Sequence, residues 1–448
     1  MQPLTADPGG CPLKPKVNDM SAYLKRTAKS KLMYERAKRT IPAGVSYRIR
    51  RFDPYPFFVK KSIGSKLIDL DGNEYTDYWC THMAMILGHG NPHVMQAIIR
   101  QAEKGWHPGV EHELEVSHAE TLKKYVPSAE MTRYASSGSE ANFFAVRLAR
   151  TFTKRSKIAK FEGGWHGAYD PIHIAMKPPL AAPPCGGITK GSQEDTIVVP
   201  FNDLDGFLQK VHGEELACVI MEPVLAAGGM IAAELEFLKG IREYCTHTGA
   251  LLIFDEVVTG FRLGLGGAQS HFGIEPDITV LGKIIGGGLP IGALCGRQEV
   301  MDHLDHTKFS GLTYSHHGGT FAANALSLAA GLATIEVLEH GGVYEHIDKL
   351  GERAREGLRA VFEERKFPAQ VIGLGSLFAI HTTSKKPIKD VNSFQFCDHK
   401  LSESMFHNLL DNGTFMLTPE TLHGAVSYSH TGEEIEQLIA TVERYVSA

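Results

Sequence analysis

The amino-acid sequence predicts an α/β fold, with a mainly parallel sheet that carries helices on both faces. Short apolar runs recur between helical patterns from about residue 85 to residue 330, and they include KIAKF, TIVVPF, LACVIMEP, ALLIFDE and DITVLGK. This alternation is typical of parallel strands joined by helices. The chain has 448 residues, of which 43% are hydrophobic and 22% charged, as in an ordinary soluble enzyme of two or three domains.

The N-terminal segment predicts a helix followed by a small antiparallel sheet. DMSAYLKRTAKSKLMYERAKRTIP places Leu24, Ala28, Leu32 and Ala37 on one apolar face, with basic residues between them, and stops at Pro42. FFVKKSIGSKLIDLDGNEYTDYW alternates and breaks at Asp71 and Gly72, which is a hairpin turn signal. We expect residues 1–84 to form part of a small domain and a dimer arm, ahead of a large domain over residues 85–330.

Residues 331–448 are expected to complete the small domain. NALSLAAGLATIEVLEH predicts a helix that leads into this region, and GSLFAIHT predicts a strand within it. The last helix begins with a capping box of Thr431 and Glu434. Its apolar face has helical spacing and consists of Ile435, Leu438, Ile439 and Val442.

Charge and cysteine content limit the possible partners and compartment. The net charge of −5 divides into +10 over residues 14–51 and −15 over the rest. The commoner explanation of such a basic segment is a solvated helix face or an arm on an acidic partner subunit, so we expect no nucleic-acid or membrane partner. Seven scattered cysteines without a C-x-x-C pair indicate reduced thiols, and the N-terminus has no apolar signal region. These features predict a cytoplasmic protein.

Three polar residues end three of the apolar strand runs. Glu222 follows ACVIM, Asp255 ends ALLIFD, and Lys283 follows ITVLG. Ligands of open α/β sheets lie beyond the carboxyl ends of the strands, so these residues are expected in one crevice. A lysine in such a run either reaches solvent from the end of its element or is a desolvated amine ready to form a Schiff base.

The stretch YASSGSEANFFAVRLAR predicts a phosphate site. Its strand end is followed by Ser137, Gly138 and Ser139 and then by a helix, whose N-terminal N–H groups bind anions. A simple serine N-cap is the alternative. FEGGWHGAYD adds an aromatic side chain, Trp165. A phosphate cradle, an aromatic ring, a carboxylate and a lysine together are what pyridoxal 5′-phosphate requires, and this combination favours the Schiff-base interpretation of Lys283.

LLIFDEVVTGFRLGLGGAQSHFGIEPDITVLGKIIGGGLPIGA resembles the signature of class III, fold-type I pyridoxal-phosphate aminotransferases, and specifically their glutamate-1-semialdehyde aminomutase-like branch. The resemblance extends from about residue 40 to the C-terminus through DGNEYTDYW, MILGHGNP, SSGSEA, RLAR, KFEGGWHG, MEPV and GGTFAAN. It implies a large domain with a seven-stranded sheet, a small α+β domain made of the N- and C-terminal segments, and a homodimer with shared active sites.

The resemblance also implies a role for each matching residue. The roles are phosphate binding by Ser137, Gly138 and Ser139, ring stacking by Trp165, pairing of Asp255 with the ring nitrogen, packing of Val257 on the other ring face, support by Glu222, attachment of the aldehyde carbon to Lys283, and phosphate contact by Thr320 from the second subunit. Trp165 stands where tyrosine is common in the family, and Ser139 where threonine is common. Both changes keep the chemistry.

The substrate residues depart from the aminomutase pattern. The aminomutases resemble one another in a glycine- and serine-rich loop after the HG motif and in a glutamate near the C-terminus. This chain instead has HIAMKPPLAAPPCGGITKGSQED in the loop and Leu422 or His423 near the expected acid. Arg48 and Arg50 in PAGVSYRIRRFDPYP are candidates for binding a substrate carboxylate, with plain surface charge as the alternative. No metal site is expected, because the histidines lack ligand spacing.

We therefore expect an aminotransferase that uses pyridoxal 5′-phosphate and a Lys283 Schiff base to move an amino group from an amino donor to a keto acceptor in two half-reactions. The alternatives within the enzyme class are a glutamate-1-semialdehyde 2,1-aminomutase and an amino-acid epimerase. A different class of protein, a non-catalytic binding module with a basic N-terminal arm, has only the charge asymmetry in its favour.

Overall fold

The computed structural model describes residues 20–178, 180, 185–383, 385, 387–416 and 422–447. Within these residues the strands are β1 Val59–Ile63, β2 Lys66–Asp69, β3 Glu74–Asp77, β4 Met131–Ala135, β5 Lys157–Phe161, β6 Thr196–Val199, β7 Leu216–Met221, β8 Val224–Leu225, β9 Ile231–Ala232, β10 Leu251–Asp255, β11 Ile278–Gly282, β12 Gly292–Gly296, β13 Gln370–Ile372, β14 Leu377–His381, β15 Thr414–Phe415 and β16 Leu422–Ala425.

The helices connect and cover these strands. They are α1 Ser21–Arg26, α2 Ala28–Ala37, α3 Cys80–Met83, α4 Pro92–Lys104, α5 Glu113–Tyr125, α6 Gly138–Thr153, α7 Lys190–Glu194, α8 Leu204–Lys210, α9 Leu235–Thr248, α10 Gly267–Phe272, α11 Gln298–Met301, α12 Ala325–His340, α13 Val343–Glu364, α14 His399–Asp411 and α15 Gly432–Ser447. None of the helices in the described ranges is both long and apolar enough to cross a membrane.

The central sheet confirms the predicted fold class. Its seven strands have the order β4-β12-β11-β10-β7-β5-β6, and only β12 runs antiparallel to its neighbours. Alternate residues of β7 enter different apolar clusters, Val219 with Phe237 of α9 and Ile220 with Leu148 of α6. This alternation places helices on both faces of the sheet.

The described residues also form three smaller sheets, of which β8-β9 has only two strands. The order β1-β2-β3-β15 joins the N-terminal hairpins to a strand near the C-terminus, and β13-β14-β16 is an antiparallel sheet of the C-terminal region. The predicted turn at Asp71 and Gly72 lies between β2 and β3, and a second turn at Gly64 and Ser65 separates β1 from β2. The division at residues 84 and 330 stays a prediction.

The apolar face predicted for the N-terminal helix is wrong. The helix is broken at Thr27 into α1 and α2, and Leu24 and Leu32 are 41% and 72% exposed. The buried side chains of this region are instead those of Tyr23 and Tyr34, since Tyr23 donates a hydrogen bond to the carbonyl of Tyr55 at 2.9 Å. A tyrosine side chain buries a large ring, and its hydroxyl can still form a hydrogen bond. Tyr23 and Tyr34 are therefore buried where Leu24 and Leu32 were expected to be.

The C-terminal capping box is confirmed. The main-chain N–H of Glu434 donates to Thr431 Oγ1 at 3.3 Å, and the Thr431 N–H donates to Glu434 Oε2 at 3.0 Å. Ile435, Leu438 and Val442 on the predicted face are fully buried. The six cysteines in the described residues are free, while Cys11 and residues 14–19 of the basic segment lie outside the described residues.

Candidate active site

The three strand-end residues lie at one edge of the central sheet. Strand β10 pairs with β7 on one side and with β11 on the other, all parallel, so Glu222, Asp255 and Lys283 all follow carboxyl ends of adjacent strands. Asp255 and Glu222 are each only 4% exposed. The strand order therefore agrees with the prediction that Glu222, Asp255 and Lys283 lie at one crevice.

Asp255 is held by three hydrogen bonds. Its Oδ2 accepts from Asn142 Nδ2 at 2.7 Å and pairs with His166 Nδ1 at 2.8 Å, while Oδ1 accepts from the N–H of Val257 at 3.1 Å. Burial lowers the pKa of His166, and the contact with Asp255 opposes that shift. The neutral ring donates its Nδ1 proton to the carboxylate, which has only acceptors to offer. These contacts fix the direction in which Asp255 faces the crevice.

Lys283 occupies the first position of a tight turn with a positive φ of 53°. Such a conformation is uncommon for a residue with a side chain and persists only where the surroundings enforce it. Here His118, fully buried, hydrogen-bonds the carbonyl of Ile285 through Nε2 at 2.8 Å. Burial lowers the pKa of Lys283 to about 8, against the opposing charges of Glu222 and Asp255. Near neutral pH, a larger fraction of the Lys283 amine is unprotonated than in an ordinary lysine. The unprotonated amine is the form that attacks an aldehyde.

Glu222 and Lys160 support the loop that carries Trp165. Glu222 Oε1 accepts from the N–H of Trp165 at 2.8 Å and Oε2 from the N–H of Ala226 at 3.2 Å, and burial together with Asp255 raises the pKa of Glu222. Lys160, fully buried, donates from Nζ to the carbonyls of Phe161 at 3.1 Å and Gly164 at 2.8 Å. Lys160 is a residue that the sequence analysis did not identify.

The predicted phosphate residues begin helix α6. Ser137 is the N-cap, and its Oγ accepts from the N–H of Glu140 at 3.2 Å. The N–H groups of Gly138 and Ser139 belong to the first turn, where no intrahelical acceptor exists, so they can bind an anion. A Cβ atom at Gly138 would lie 2.7 Å from Val257 Cγ2, so this position requires glycine. Gly138 and Val257 are therefore close neighbours, while their roles toward the cofactor stay predictions.

Trp165 and Thr320 differ in their burial and in their contacts. Trp165 is half-buried, and its ring lies 5.5 Å from that of His173 in a T-shaped arrangement. Thr320 is exposed, and its carbonyl is hydrogen-bonded to His107 Nε2 at 2.6 Å. A contact of Thr320 with a phosphate from a second subunit stays a prediction.

Four successive residues after β3 form a strained left-handed turn. Cys80, Thr81, His82 and Met83 have successive positive φ angles of 46°, 52°, 59° and 67°. Left-handed helical geometry costs about 1 to 2 kcal/mol for each residue with a side chain. Asp77 Oδ1 accepts the N–H groups of Trp79 and Cys80, and buried Arg262 donates to the carbonyl of Met83 at 2.6 Å. These contacts hold the turn at both of its ends.

The two candidate arginines differ in position. Both Arg48 and Arg50 are exposed, but only the charge of Arg50 acts on His82. The ring of His82 stacks at a tilt on Trp79 with 4.3 Å between centroids, and Trp79 lies 6.1 Å from buried His423. His423, one of the two residues near the acid that the resemblance leads us to expect, therefore lies close to Trp79; residues 417–421 before it lie outside the described residues.

The residues at this edge fit pyridoxal 5′-phosphate. Free helix N–H groups suit its phosphate, buried Asp255 suits a protonated ring nitrogen, and the Lys283 amine suits its aldehyde. His166 Nε2 and Asn142 Oδ1 are buried without a partner among the described residues, so this polar edge has capacity for a further group. No cluster of His, Cys, Asp and Glu in the described ranges is arranged to hold a metal ion. Fold and site together define a pyridoxal-phosphate enzyme.

Comparison with known proteins identifies the family. The family model described as aminotransferase class-III matches residues 47–446. The chain is 39% identical over 417 residues to glutamate-1-semialdehyde 2,1-aminomutase of Archaeoglobus fulgidus, which covers 92% of this chain and 98% of the relative. An omega-transaminase structure from Sphaerobacter thermophilus is 34% identical with a TM-score of 0.87, covering 93% and 97% of the two chains. A transaminase structure with PLP bound is 34% identical with a TM-score of 0.85, covering 94% and 97%.

The chain therefore belongs to the class III aminotransferase family, and its cofactor is pyridoxal 5′-phosphate. The resemblance stated from the sequence motifs is confirmed. Asn142, His82 and Lys160 were not identified from the sequence, and the hydrogen-bond partner of Asn142, Asp255, is 113 residues away. Asn142 and His166 both stood inside quoted motifs, and a buried asparagine or histidine next to a phosphate motif is a signal that could have found them.

Proposed function

We propose that this enzyme transfers an amino group from an amino donor to a keto acceptor in two half-reactions. The observation that carries the proposal is the position of Lys283, which follows the carboxyl end of β11, next to the carboxyl end of β10 where the buried carboxylate of Asp255 lies. Two observations are consistent with this chemistry. The chain belongs to the class III aminotransferase family, and the pKa of Lys283 is lowered to about 8.

Each residue has a role in the proposed reaction. Lys283 binds the aldehyde carbon, gives up that position to the substrate amine, then accepts the proton from the substrate Cα and delivers it again. Asp255, held by Asn142 and His166, keeps a proton on the ring nitrogen. When bound, pyridoxal 5′-phosphate supplies the electron sink for the negative charge that develops at Cα. Ser137, Gly138 and Ser139 hold its phosphate.

The second candidate function is that of a glutamate-1-semialdehyde 2,1-aminomutase. The names of the curated relatives, at 39% identity over nearly the whole chain, favour this candidate over transfer between two substrates. The sequence near Leu422 and His423, which lacks the expected glutamate, favours transfer between two substrates. The solved transaminase at 34% identity is consistent with this second argument.

A kinetic experiment separates the two candidates. A transferase given only an amino donor stops after one amino group per active site and resumes when a keto acceptor is added. An aminomutase moves nitrogen within one molecule and converts glutamate 1-semialdehyde to 5-aminolevulinate continuously without an acceptor. Sustained conversion of that kind, at a rate equal to the best amino transfer, would replace the first candidate by the second. Lys283→Ala serves as the inactive control in both assays.

We also propose a homodimer in which Thr320 completes the phosphate site of the second subunit. Support comes from exposed apolar side chains near Thr320, since Leu312 is 99% and Phe321 61% exposed. Sedimentation equilibrium should give a dimer, and Phe321→Glu should shift it toward monomer with loss of cofactor. A monomeric wild type that keeps full cofactor affinity would contradict this arrangement.

A further inference from the structure

One peptide group in the loop after β5 is held at both of its polar atoms. The carbonyl oxygen of Gly164 and the N–H of Trp165 belong to the same peptide bond. Lys160 Nζ donates to this carbonyl at 2.8 Å, and Glu222 Oε1 accepts from this N–H at 2.8 Å. Lys160 is fully buried and Glu222 is only 4% exposed, so water competes little for either contact. Because a peptide group is planar, hydrogen bonds at both ends fix its orientation.

Lys160 also fixes the beginning of this loop. Its Nζ donates to the carbonyl of Phe161 at 3.1 Å, and the same carbonyl accepts the N–H of Gly164 at 3.2 Å. The N–H of Gly163 donates to the carbonyl of Ala175 at 2.8 Å. An ammonium group has three N–H donors and a neutral amine has two, so Lys160 can serve both carbonyls in either form.

The held peptide lies against the residues that line the cofactor site. A Cβ atom on Gly164 would lie 2.8 Å from His166 Nε2, so the main chain at Gly164 packs on the imidazole ring. The other ring nitrogen, Nδ1, pairs with Asp255 Oδ2 at 2.8 Å. One residue further, a Cβ atom on Gly167 would overlap the side chain of Ser139. The orientation of one peptide group therefore bears on both the Asp255 carboxylate and the predicted phosphate residues.

We propose that Lys160 is a positioning residue of this active site: together with Glu222 it holds the Gly164–Trp165 peptide, and thereby it sets the hydrogen bond from His166 to Asp255. The inference rests on the proposed amino-transfer function, because Asp255 acts in that reaction. Without Lys160 the buried carbonyl of Gly164 loses its donor, and an unsatisfied buried carbonyl is unfavourable. The peptide then turns to find another partner, and the His166 ring that packs on it turns as well.

The first measurement follows the hydrogen bond itself. His166 and Asp255 are buried, so the Nδ1 proton of His166 should give a downfield, slowly exchanging ¹H NMR signal in the wild-type holoenzyme. His166→Gln assigns this signal by its disappearance. In Lys160→Met, which removes the donor and keeps most of the packing, the signal should move upfield or broaden. A wild type without such a signal would overturn the geometry on which the proposal stands.

The second measurement is the steady-state rate of amino transfer. Lys160→Met should lower kcat about tenfold, because a displaced Asp255 partner leaves the ring nitrogen poorly held, and should change the donor KM by less than about twofold. Lys157→Met is the charge control on the same strand, since Lys157 pairs with Glu214 and its side chain is 40% exposed. Ile241→Val on α9 is the stability control, because Ile241 is fully buried. Both controls should keep the wild-type kcat and signal.

A further variant leaves Lys160 in place and tests the contact that passes the effect on. Gly164→Ala puts a Cβ atom against the His166 ring, so it should shift the His166 signal and lower kcat as Lys160→Met does. An unchanged signal in Gly164→Ala would overturn the proposal even where Lys160→Met fails to fold.

The remaining outcomes separate this inference from the proposed function. Either an unchanged His166 signal or an unchanged kcat in Lys160→Met would overturn the positioning role, as would an equal loss of kcat in Ile241→Val. A wild type that transfers no amino group from any donor would refute the proposed function instead. The His166 signals of wild type and Lys160→Met would then still show whether Lys160 sets the hydrogen bond to Asp255.

Discussion

Replacing Lys160 by methionine should change how the stability of the protein depends on pH. Lys160 is fully buried on β5, and its Nζ donates to two main-chain carbonyls of the loop that leads to Trp165. Burial lowers its pKa to about 7, which Glu222 and Glu162 only partly oppose. Methionine has a similar length and carries no charge, so the variant removes the titrating group and keeps most of the packing.

The size of the effect follows from the difference between the pKa of Lys160 in the folded protein and its pKa in the unfolded chain. The gap between the ordinary pKa of 10.5 and about 7 corresponds to about 5 kcal/mol, at about 1.4 kcal/mol per pH unit. Between these two values the unfolded chain binds more protons than the folded one, so wild-type stability rises with pH in this window. From about pH 6 to about pH 9, wild type should gain about 3 kcal/mol relative to Lys160→Met. The carbonyls of Phe161 and Gly164 lose a donor in the variant, but that loss does not depend on pH.

The assay is urea denaturation followed by circular dichroism over this pH range, with the difference between variant and wild type taken at each pH. Lys157→Met is the matched control, because Lys157 lies on the same strand but pairs with Glu214 with its side chain 40% exposed. The Lys157→Met difference should stay flat. If the Lys160→Met and Lys157→Met differences follow the same pH dependence, the buried lysine is not the source of the effect and the reasoning fails.

Three further substitutions test the active site. Lys283→Ala should still bind cofactor through the phosphate cradle, as measured by equilibrium dialysis, but should not turn over; normal amino transfer in this variant would contradict the assignment. Asp255→Ala should reduce kcat roughly a thousandfold and Asp255→Glu less, because only a carboxylate keeps the ring nitrogen protonated, and near-native turnover of the alanine variant would make Asp255 a structural residue only. Gly138→Ala should weaken cofactor binding, since the added Cβ would lie 2.7 Å from Val257 Cγ2, and unchanged affinity would argue against the predicted cradle.

The central part of the fold could be predicted because its signals are local. Buried parallel strands are short apolar runs, and the capping box of Thr431 and Glu434 needs only four residues. The shared crevice of Glu222, Asp255 and Lys283 was also predictable, because the carboxyl ends of parallel strands meet at one edge whatever the strand order. The N-terminal helix shows the limit of this reasoning, since its apolar spacing did not reveal that Tyr23 and Tyr34 would be the buried residues.

The sequence by itself therefore determined the sheet, the cofactor and the lysine. Only the tertiary structure decided how the site is supported. Asn142 and Asp255, which are joined by a hydrogen bond, are 113 residues apart. The left-handed turn at Cys80–Met83 runs against the local preference of every residue in it, so no local pattern can predict it. It exists because Asp77 and Arg262 hold it from both ends, and such contacts form only when the whole chain has folded.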